Sequence, residues 1–325
     1  MLTLLLQYTL LLFIISPIQV PATINLYFSK TKGAYYKGGV DNIIIKDISD
    51  ANSTIDMEMY YLTNKNITSS LIKAKKRGVD IRIFTDDKKI KSKRYKYLSS
   101  YNIEIKDDNN SKAIMHNKIV IIDKNITWIG SGNYTVFAFY RNYENFIRIE
   151  SSKIGEYYSS KFNSLYNNQN INIKPYTDNK LEIYFSKDGN IENVIIKNIS
   201  KAEISIDIMM FAFTNKKIAN ALLKAKKRGV EVKIILDRVQ NRYQRKYSVY
   251  NYLKDKGIDI SLENSKRKLH NKVMVIDEKI VITGSYNYTK QANLMNNENI
   301  LVIKDDIIAT EYIEKLKSDL PNLLK

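Results

Sequence analysis

Two histidines carry the strongest chemical signal in this 325-residue chain, because the sequence contains no others. Each histidine begins the same motif, His-x-Lys followed by an aspartate and then by Gly-Ser-x-Asn. Imidazole is the side chain best suited to acid–base and nucleophilic chemistry near neutral pH. The pattern therefore predicts a two-histidine active site. The two motifs consist of His116, Lys118, Asp123, Ser131 and Asn133, and of His270, Lys272, Asp277, Ser285 and Asn287.

The lysines and asparagines of the motifs are candidate anion-binding groups. Lys118 and Lys272 lie two residues after their histidines, at the start of an apolar segment. Because residues i and i+2 of a strand point to the same face, we expect each ammonium beside its imidazole, where it would bind phosphate or another anion. Glycine and serine allow the backbone to approach a ligand before Asn133 and Asn287, whose amides can donate to an oxygen.

Two pairs of carboxylates accompany the motifs. Asp123 and Asp277 each end the apolar segment on the face opposite the lysine, which favours a structural ion pair or turn cap over direct chemistry. Glu144 and Glu298 share the context Glu-Asn and lie at the same distance past their histidines. A carboxylate that accepts from an imidazole fixes its tautomer, so these two are either histidine orienters or structural residues.

The histidine motifs end a longer internal repeat. Residues 73–79 recur without change at 224–230, and Tyr-Phe-Ser-Lys at 27–30 recurs at 184–187. We interpret this as a tandem duplication, with a first repeat at 23–176 and a second at 177–325. Within each repeat, strand-like segments alternate with amphipathic helical ones. This order predicts an α/β fold with a largely parallel sheet and active-site loops at strand ends.

Composition narrows the chemistry further. The 52 Lys and Arg against 34 Asp and Glu give a net charge of +18, which indicates attraction to polyanions, although a general bias toward lysine is an alternative explanation. The chain has no cysteine, which excludes disulfides, thiolate metal sites and cysteine nucleophiles. Two histidines are also too few for a His-rich metal site. We therefore expect neither a metal nor a cofactor.

Two basic segments with interleaved tyrosines precede the motifs. Each follows a predicted strand that ends in aspartate, which places it at the active-site end of the sheet. Such segments suit single-stranded nucleic acid, since cations follow the backbone and rings stack on bases. The alternative is an ordinary exposed helix. The candidate substrate-binding residues are Arg94 and Tyr95 in the first segment, and Arg242, Tyr243, Arg245 and Tyr247 in the second.

The first 22 residues are typical of an export signal. An apolar run at 2–15 is shorter than a bilayer span, and Val20 and Ala22 are the small residues of a cleavage site. The run lacks a preceding Lys or Arg, so an uncleaved anchor and a buried first strand are alternatives. We expect an exported protein, either released or tethered to the membrane through residues 1–22.

The paired motif His-x-Lys-x4-Asp-x6-Gly-Ser-x-Asn resembles the signature of the phospholipase D superfamily. The second copy, from about Lys246 through the His270 motif to Asn299, is most similar to the small bacterial endonuclease branch, which includes the mitochondrial cardiolipin hydrolase type. Members of that branch usually carry one motif and dimerise to build one site. The resemblance therefore implies two homologous α-β-α sandwich repeats packed as a pseudo-dimer, with one shared active site in a functional monomer.

The resemblance also implies a metal-independent mechanism. One imidazole attacks phosphorus to form a phosphohistidine, while the other protonates the leaving oxygen and then activates water. In the family the N-terminal histidine is usually the nucleophile, which corresponds to His116. The remaining roles are neutralisation of phosphate oxygens by Lys118, Lys272, Asn133 and Asn287, support by Ser131 and Ser285, and histidine orientation by Glu144 and Glu298.

Three functions fit these residues. The first is a nuclease acting on DNA or RNA. The second is a phospholipase D that hydrolyses phosphatidyl headgroups or cardiolipin, for which a basic face would be equally useful. Against it, the sequence has no second hydrophobic span and no long apolar insertion. A non-catalytic polyanion-binding module is disfavoured because both motifs are intact.

Overall fold

The computed structural model describes residues 21–31, 38–169, 171–186 and 190–319. Most of the predicted export signal therefore lies outside the described residues. Two mixed sheets, one from each half of the chain, form the framework. None of the helices in the described ranges combines the length and apolar character needed to span a bilayer.

The first sheet has seven strands. They are β1 Thr23–Phe28, β2 Thr54–Met59, β3 Asp80–Thr85, β4 Glu104–Asp107, β5 Lys118–Ile122, β6 Ile126–Gly130 and β7 Asn145–Glu150. Their spatial order is β1-β7-β6-β5-β2-β3-β4. Only β2, β3 and β4 run parallel to one another, and the remaining neighbours pair antiparallel.

The second sheet repeats this arrangement with one added edge strand. Its strands are β8 Tyr176–Thr177, β9 Leu181–Phe185, β10 Ser205–Met210, β11 Glu231–Leu236, β12 Asp259–Leu262, β13 Lys272–Ile276, β14 Ile280–Gly284 and β15 Asn299–Lys304. Their order is β12-β11-β10-β13-β14-β15-β9-β8. The strands of the motifs, β5 and β13, thus occupy equivalent central positions.

The prediction of largely parallel sheets is wrong. Strand β5 turns into β6 through residues 123–125, and Asp123 and Lys124 adopt φ values of 50° and 52°. Such a tight left-handed turn can connect only antiparallel neighbours. Asp277 and Glu278 make the same turn in the second sheet. Helical crossovers between neighbouring strands, which produce parallel pairs, occur only among the three strands at one side of each sheet.

Eleven helices within the described ranges cover the sheets. They are α1 Val40–Asp50, α2 Lys65–Lys76, α3 Lys93–Ser99, α4 Val136–Tyr140, α5 Ser152–Tyr166, α6 Ile191–Lys201, α7 Lys216–Lys227, α8 Arg238–Tyr243, α9 Tyr250–Lys254, α10 Lys290–Leu294 and α11 Asp306–Asp319. Asn64 and Asn215 cap α2 and α7 by accepting backbone N–H groups. Gly78 and Gly229 follow these helices at φ near +100°, a conformation that favours glycine.

The two repeats share a central core. Ile119 and Ile121 of β5 and Val273 of β13 face this core, together with α5 and α11. The alternate residues Val120 and Ile122 face a separate outer core under α1 and α2. This period of two is the strand pattern expected of a sheet covered on both faces. The motif strands are therefore fixed from both sides.

Candidate active site

The backbone joins the two motifs across the boundary between the repeats. The N–H of His116 donates to the carbonyl of Asn297 at 3.0 Å, and the N–H of His270 donates to the carbonyl of Tyr143 at 3.0 Å. The Tyr143 N–H in turn donates to the carbonyl of Lys268 at 2.8 Å. Each histidine is thus bound to the segment that leads into the last strand of the opposite sheet.

Each imidazole pairs with a glutamate of the other repeat. His116 Nδ1 lies 2.8 Å from Glu298 Oε2, and His270 Nδ1 lies 2.9 Å from Glu144 Oε2. A carboxylate on Nδ1 holds the proton there in the neutral ring and leaves Nε2 for a ligand. The sequence indicated both glutamates but not this exchange of partners.

A hydroxyl and an amide hold each glutamate in place. The Oγ of Ser131 donates to Glu144 at 2.6 Å, and the Oγ of Ser285 donates to Glu298 at 2.6 Å. The side chains of Asn142 and Asn296 donate to the second oxygens at 3.2 and 3.1 Å.

Burial alone would raise the pKa of both glutamates, but their hydrogen bonds and the nearby His and Lys charges outweigh it. These interactions lower the pKa of Glu144 to about 2 and that of Glu298 below its usual range. Both carboxylates are therefore ionised at neutral pH, so each can hold its imidazole by a charged hydrogen bond.

The two motif lysines are buried beside the histidines. Lys118 is 1% exposed and Lys272 is almost as deeply buried; their ammonium groups donate to the carbonyls of His116 and His270. Burial lowers the pKa of Lys118 to about 7 and of Lys272 to about 8. It also lowers the pKa of both imidazoles, to about 4 for His270. Because burial penalises these cations, a bound anion would favour the ammonium forms.

The motif asparagines offer unsatisfied amides. Asn133 and Asn287 follow β6 and β14, and the Oδ1 atom of each is buried without a hydrogen-bond partner among the described residues. Buried polar atoms are nearly always paired, so an unpaired one indicates a group that a ligand or water satisfies. The open acceptor would take a donor such as water or a hydroxyl, and only the Nδ2 group of each amide could donate to a phosphate oxygen.

The motif aspartates are turn caps rather than part of the site. Asp123 Oδ1 accepts from the backbone N–H groups of Ser53 and Thr54 at 2.8 and 2.9 Å. Asp277 Oδ1 accepts from Ser205 in the same way at 2.9 Å. Both lie at the end of their strand that is remote from the histidine, which resolves the two sequence alternatives in favour of structure.

The two basic segments differ in what they expose. Tyr95 is 1% exposed and its hydroxyl donates to the carbonyl of Met59 at 2.7 Å, so the prediction that it contacts substrate is wrong. Arg94, its neighbour, is half-buried. In the second segment the predicted residues are exposed, Tyr243 at 83% and Tyr247 at 66%. Arg242 and Arg245 are exposed with them.

Sequence reasoning missed two positioning aspartates. Asp86 and Asp237 follow β3 and β11, and their carboxylates accept from the N–H groups of Met115 and Leu269 at 3.3 and 2.9 Å. Those residues directly precede the histidines, so each aspartate fixes the start of a motif. Their recurrence at equivalent strand ends was the available signal.

One group of carboxylates has the spacing to hold a cation. The ligand oxygens of Asp86, Asp87 and Asp108 lie within 4.8 Å of one another. Asp86 already accepts two backbone N–H groups. Neither histidine belongs to this group, so the imidazole pair and the acidic group are distinct.

Comparison with known proteins shows the family of the chain. The family model described as "Cardiolipin synthase, PLD-like domain" matches twice, at residues 44–166 and 195–320. Phospholipase D of Rickettsia conorii is 35% identical over 143 residues, which is 44% of this chain and 70% of that protein. The mitochondrial cardiolipin hydrolase of Xenopus tropicalis is 33% identical over 36% of this chain and 55% of its own length.

A solved structure shares the two-repeat fold. The phosphatidylserine synthase of Haemophilus influenzae superposes with a TM-score of 0.69 over 92% of this chain and 86% of that one, at 12% identity. At this identity the likeness concerns the fold alone. The family match covers most of both repeats and includes both histidine motifs. The chain therefore belongs to the phospholipase D superfamily and is a phosphodiester hydrolase of the phospholipase D type.

Proposed function

We propose that the chain cleaves a phosphodiester in two steps through a phosphohistidine, at one site shared by the repeats. The observation that carries this proposal is the pair of imidazoles, each held through Nδ1 by a glutamate of the opposite repeat. One Nε2 attacks phosphorus while the other histidine protonates the leaving oxygen. The second histidine then takes a proton from water, and the water oxygen displaces the first imidazole.

Four further side chains stabilise the charge that develops on phosphate. The ammonium groups of Lys118 and Lys272 and the amides of Asn133 and Asn287 provide donors without a metal ion. Fixed donors in a site shielded from water stabilise such charge more strongly than water does. We propose further that one monomer contains the complete site and that residues 1–22 direct its export.

The proposed substrate is single-stranded nucleic acid. The segment with Arg242, Tyr243, Arg245 and Tyr247 begins just after β11, and Asp237, the residue that follows this strand, accepts from the backbone N–H of Leu269 next to His270. Exposed cations and rings beside the site suit a phosphate backbone and stacked bases. The net charge of +18 adds attraction to any polyanion.

A phospholipid is the second candidate substrate. The names of the relatives from Rickettsia and Xenopus, phospholipase D and cardiolipin hydrolase, favour it. Val239 on α8 and Leu294 on α10 are each more than half exposed, and α10 follows the Asn287 motif. Aliphatic side chains beside exposed cations suit an anionic membrane surface better than a nucleic acid.

One assay tests both candidates. Purified protein would be incubated in EDTA with single-stranded DNA, single-stranded RNA and vesicles of anionic phospholipid, beside the His116→Ala and His270→Ala variants. We expect the wild-type protein to cleave nucleic acid and either substitution to abolish this cleavage. Lipid turnover without nucleic-acid cleavage would replace the first candidate by the second. A strict requirement for a divalent metal would contradict the mechanism.

A further inference from the structure

The two histidines lie in half-sites whose neighbours are not equivalent. Glu58 of β2 pairs in the sheet with Ile119, and Met209 of β10 pairs with the corresponding Val273. Glu58 is buried and accepts from the Nδ2 atom of Asn117 at 2.6 Å. Asn117 is the residue between His116 and Lys118 in the sequence. The first half-site therefore has a carboxyl group where the second has a thioether.

The rings that contact the imidazoles differ by one hydroxyl. Tyr60 follows β2 and its ring centroid lies 5.6 Å from that of His116. Phe211 follows β10 at the equivalent position and lies closer to His270, at 4.6 Å. His270 is thus packed against a purely hydrocarbon ring, whereas His116 has a phenol beside it.

The space under the two glutamates differs as well. A cavity of about 160 Å³ is lined by Asn117, Ser186 and Glu298, on the side of His116. The equivalent cavity, lined by Asn271 and Glu144 on the side of His270, measures about 10 Å³. Polar and apolar side chains both line the larger cavity, which has room for several waters, whereas the smaller one holds at most one.

All three differences make the surroundings of His116 more polar. A cationic imidazolium is favoured where polar groups and water are near, and a neutral imidazole is favoured where packing is apolar. From these contacts we infer that His270 is the nucleophile and His116 the general acid, with Tyr60 and Glu58 as positioning residues that set this division. Burial lowers the pKa of both imidazoles, so the division follows from the contacts. The assignment rests on the proposed phosphohistidine mechanism and reverses the order expected from the family resemblance.

The steps balance with this assignment. The Nε2 lone pair of neutral His270 attacks phosphorus, the bond from phosphorus to the leaving oxygen breaks, and the Nε2 proton of His116 passes to that oxygen. Neutral His116 then takes a proton from water, whose oxygen attacks phosphorus and breaks the bond to His270. Both histidines return to their initial protonation states.

A substrate with a good leaving group distinguishes the two roles. The p-nitrophenolate ion leaves without a proton, so bis(p-nitrophenyl) phosphate needs the nucleophile but not the acid in the first step. We expect His116→Ala to release about one equivalent of p-nitrophenolate per chain and then stall, and His270→Ala to show no burst. Mass spectrometry of rapidly denatured wild-type protein, which does not depend on how either variant folds, should place the adduct on His270.

Other outcomes would contradict either the assignment of the two histidines or the mechanism. An adduct on His116, equal labelling of both histidines, or a burst in His270→Ala would overturn the assignment while leaving the proposed function intact. Turnover without an adduct on either histidine in the wild type would overturn the phosphohistidine mechanism itself.

The positioning residues have their own readout. If Tyr60 and Glu58 support the acid, then Tyr60→Phe and Glu58→Met should increase the rate ratio of methyl p-nitrophenyl phosphate to methyl phenyl phosphate about tenfold, because the poorer leaving group needs the proton. Phe211→Tyr, the matched change beside the nucleophile, should not increase this ratio. A purely structural role would lower both rates together, and an unchanged ratio in both first-repeat variants would overturn the positioning role.

Discussion

In the first repeat Glu58 lies in the strand next to the motif strand and Tyr60 follows it, where the second repeat has Met209 and Phe211. The groups that the mechanism uses directly are nevertheless the same in both repeats: histidine, lysine, asparagine, serine and glutamate. The comparison shows that a shared site needs matching reactive groups from both halves, but not matching neighbours. Different neighbours allow the histidines of the two halves to have different protonation states.

The largest effect should come from removing either histidine. With a natural phosphodiester, whose leaving oxygen needs a proton, His116→Ala and His270→Ala should each lower kcat by about 10⁴-fold or more, since one site requires both. Steady-state assays beside the wild type would measure the loss. If each variant kept about half of the activity, the repeats would hold two independent sites.

The next effect concerns the orienting glutamates. Glu144→Gln and Glu298→Gln keep the size of the side chain but remove its charge, so each should lower kcat by about 10²-fold. KM should change little, because neither glutamate is proposed to touch the substrate. A loss confined to one variant would show that only one half-site depends on its carboxylate.

The pH dependence should follow the buried lysines. An ammonium binds phosphate only below its pKa, and burial lowers the pKa of Lys118 to about 7 and of Lys272 to about 8. We expect kcat/KM to fall as pH rises through this range, while an ordinary lysine would remain charged. A profile flat to pH 9 would contradict phosphate binding by these two buried ammonium groups, and the corresponding arginine variants, if active, should move the decrease to higher pH.

The smallest effect should come from the capping aspartates. Asp123→Asn and Asp277→Asn weaken hydrogen bonds to backbone N–H groups at partly exposed turns and should lower the free energy of unfolding by about 1 kcal/mol, with activity kept. Backbone hydrogen bonds lower the pKa of both carboxyls despite partial burial.

This stabilisation is therefore present above the unfolded carboxyl pKa and is lost as pH falls through the folded value. Urea denaturation of wild type and variants at neutral and acid pH would measure it. A loss of activity at unchanged stability would show that these aspartates act in the active site.

Much of the site was predictable from local sequence. The spacing from His116 to Lys118 and the duplication place equivalent groups at the start of equivalent strands, and the position of Asp123 at the far end of β5 already favoured a turn cap. The burial of Tyr95 was not predictable, because a basic helix with several tyrosines does not indicate which one faces the core.

The pairing of each glutamate with the histidine of the other repeat was also not predictable from the sequence. Glu144 is 28 residues from His116 along the chain but pairs with His270, which is 126 residues away. Two copies related by pseudo-symmetry present the same local sequence whether partners lie within a repeat or across the boundary. Only the packing of the two sheets distinguishes these arrangements.

Each imidazole is held by the glutamate of the other repeat. Because the chain has two histidines, ¹⁵N NMR of histidine-labelled protein should give two sets of ring signals, assigned with His116→Ala. We expect Glu298→Gln to shift the signals of His116 and to leave those of His270 nearly unchanged, and Glu144→Gln to do the reverse. If each substitution instead shifted the histidine of its own repeat, the shared site would be contradicted.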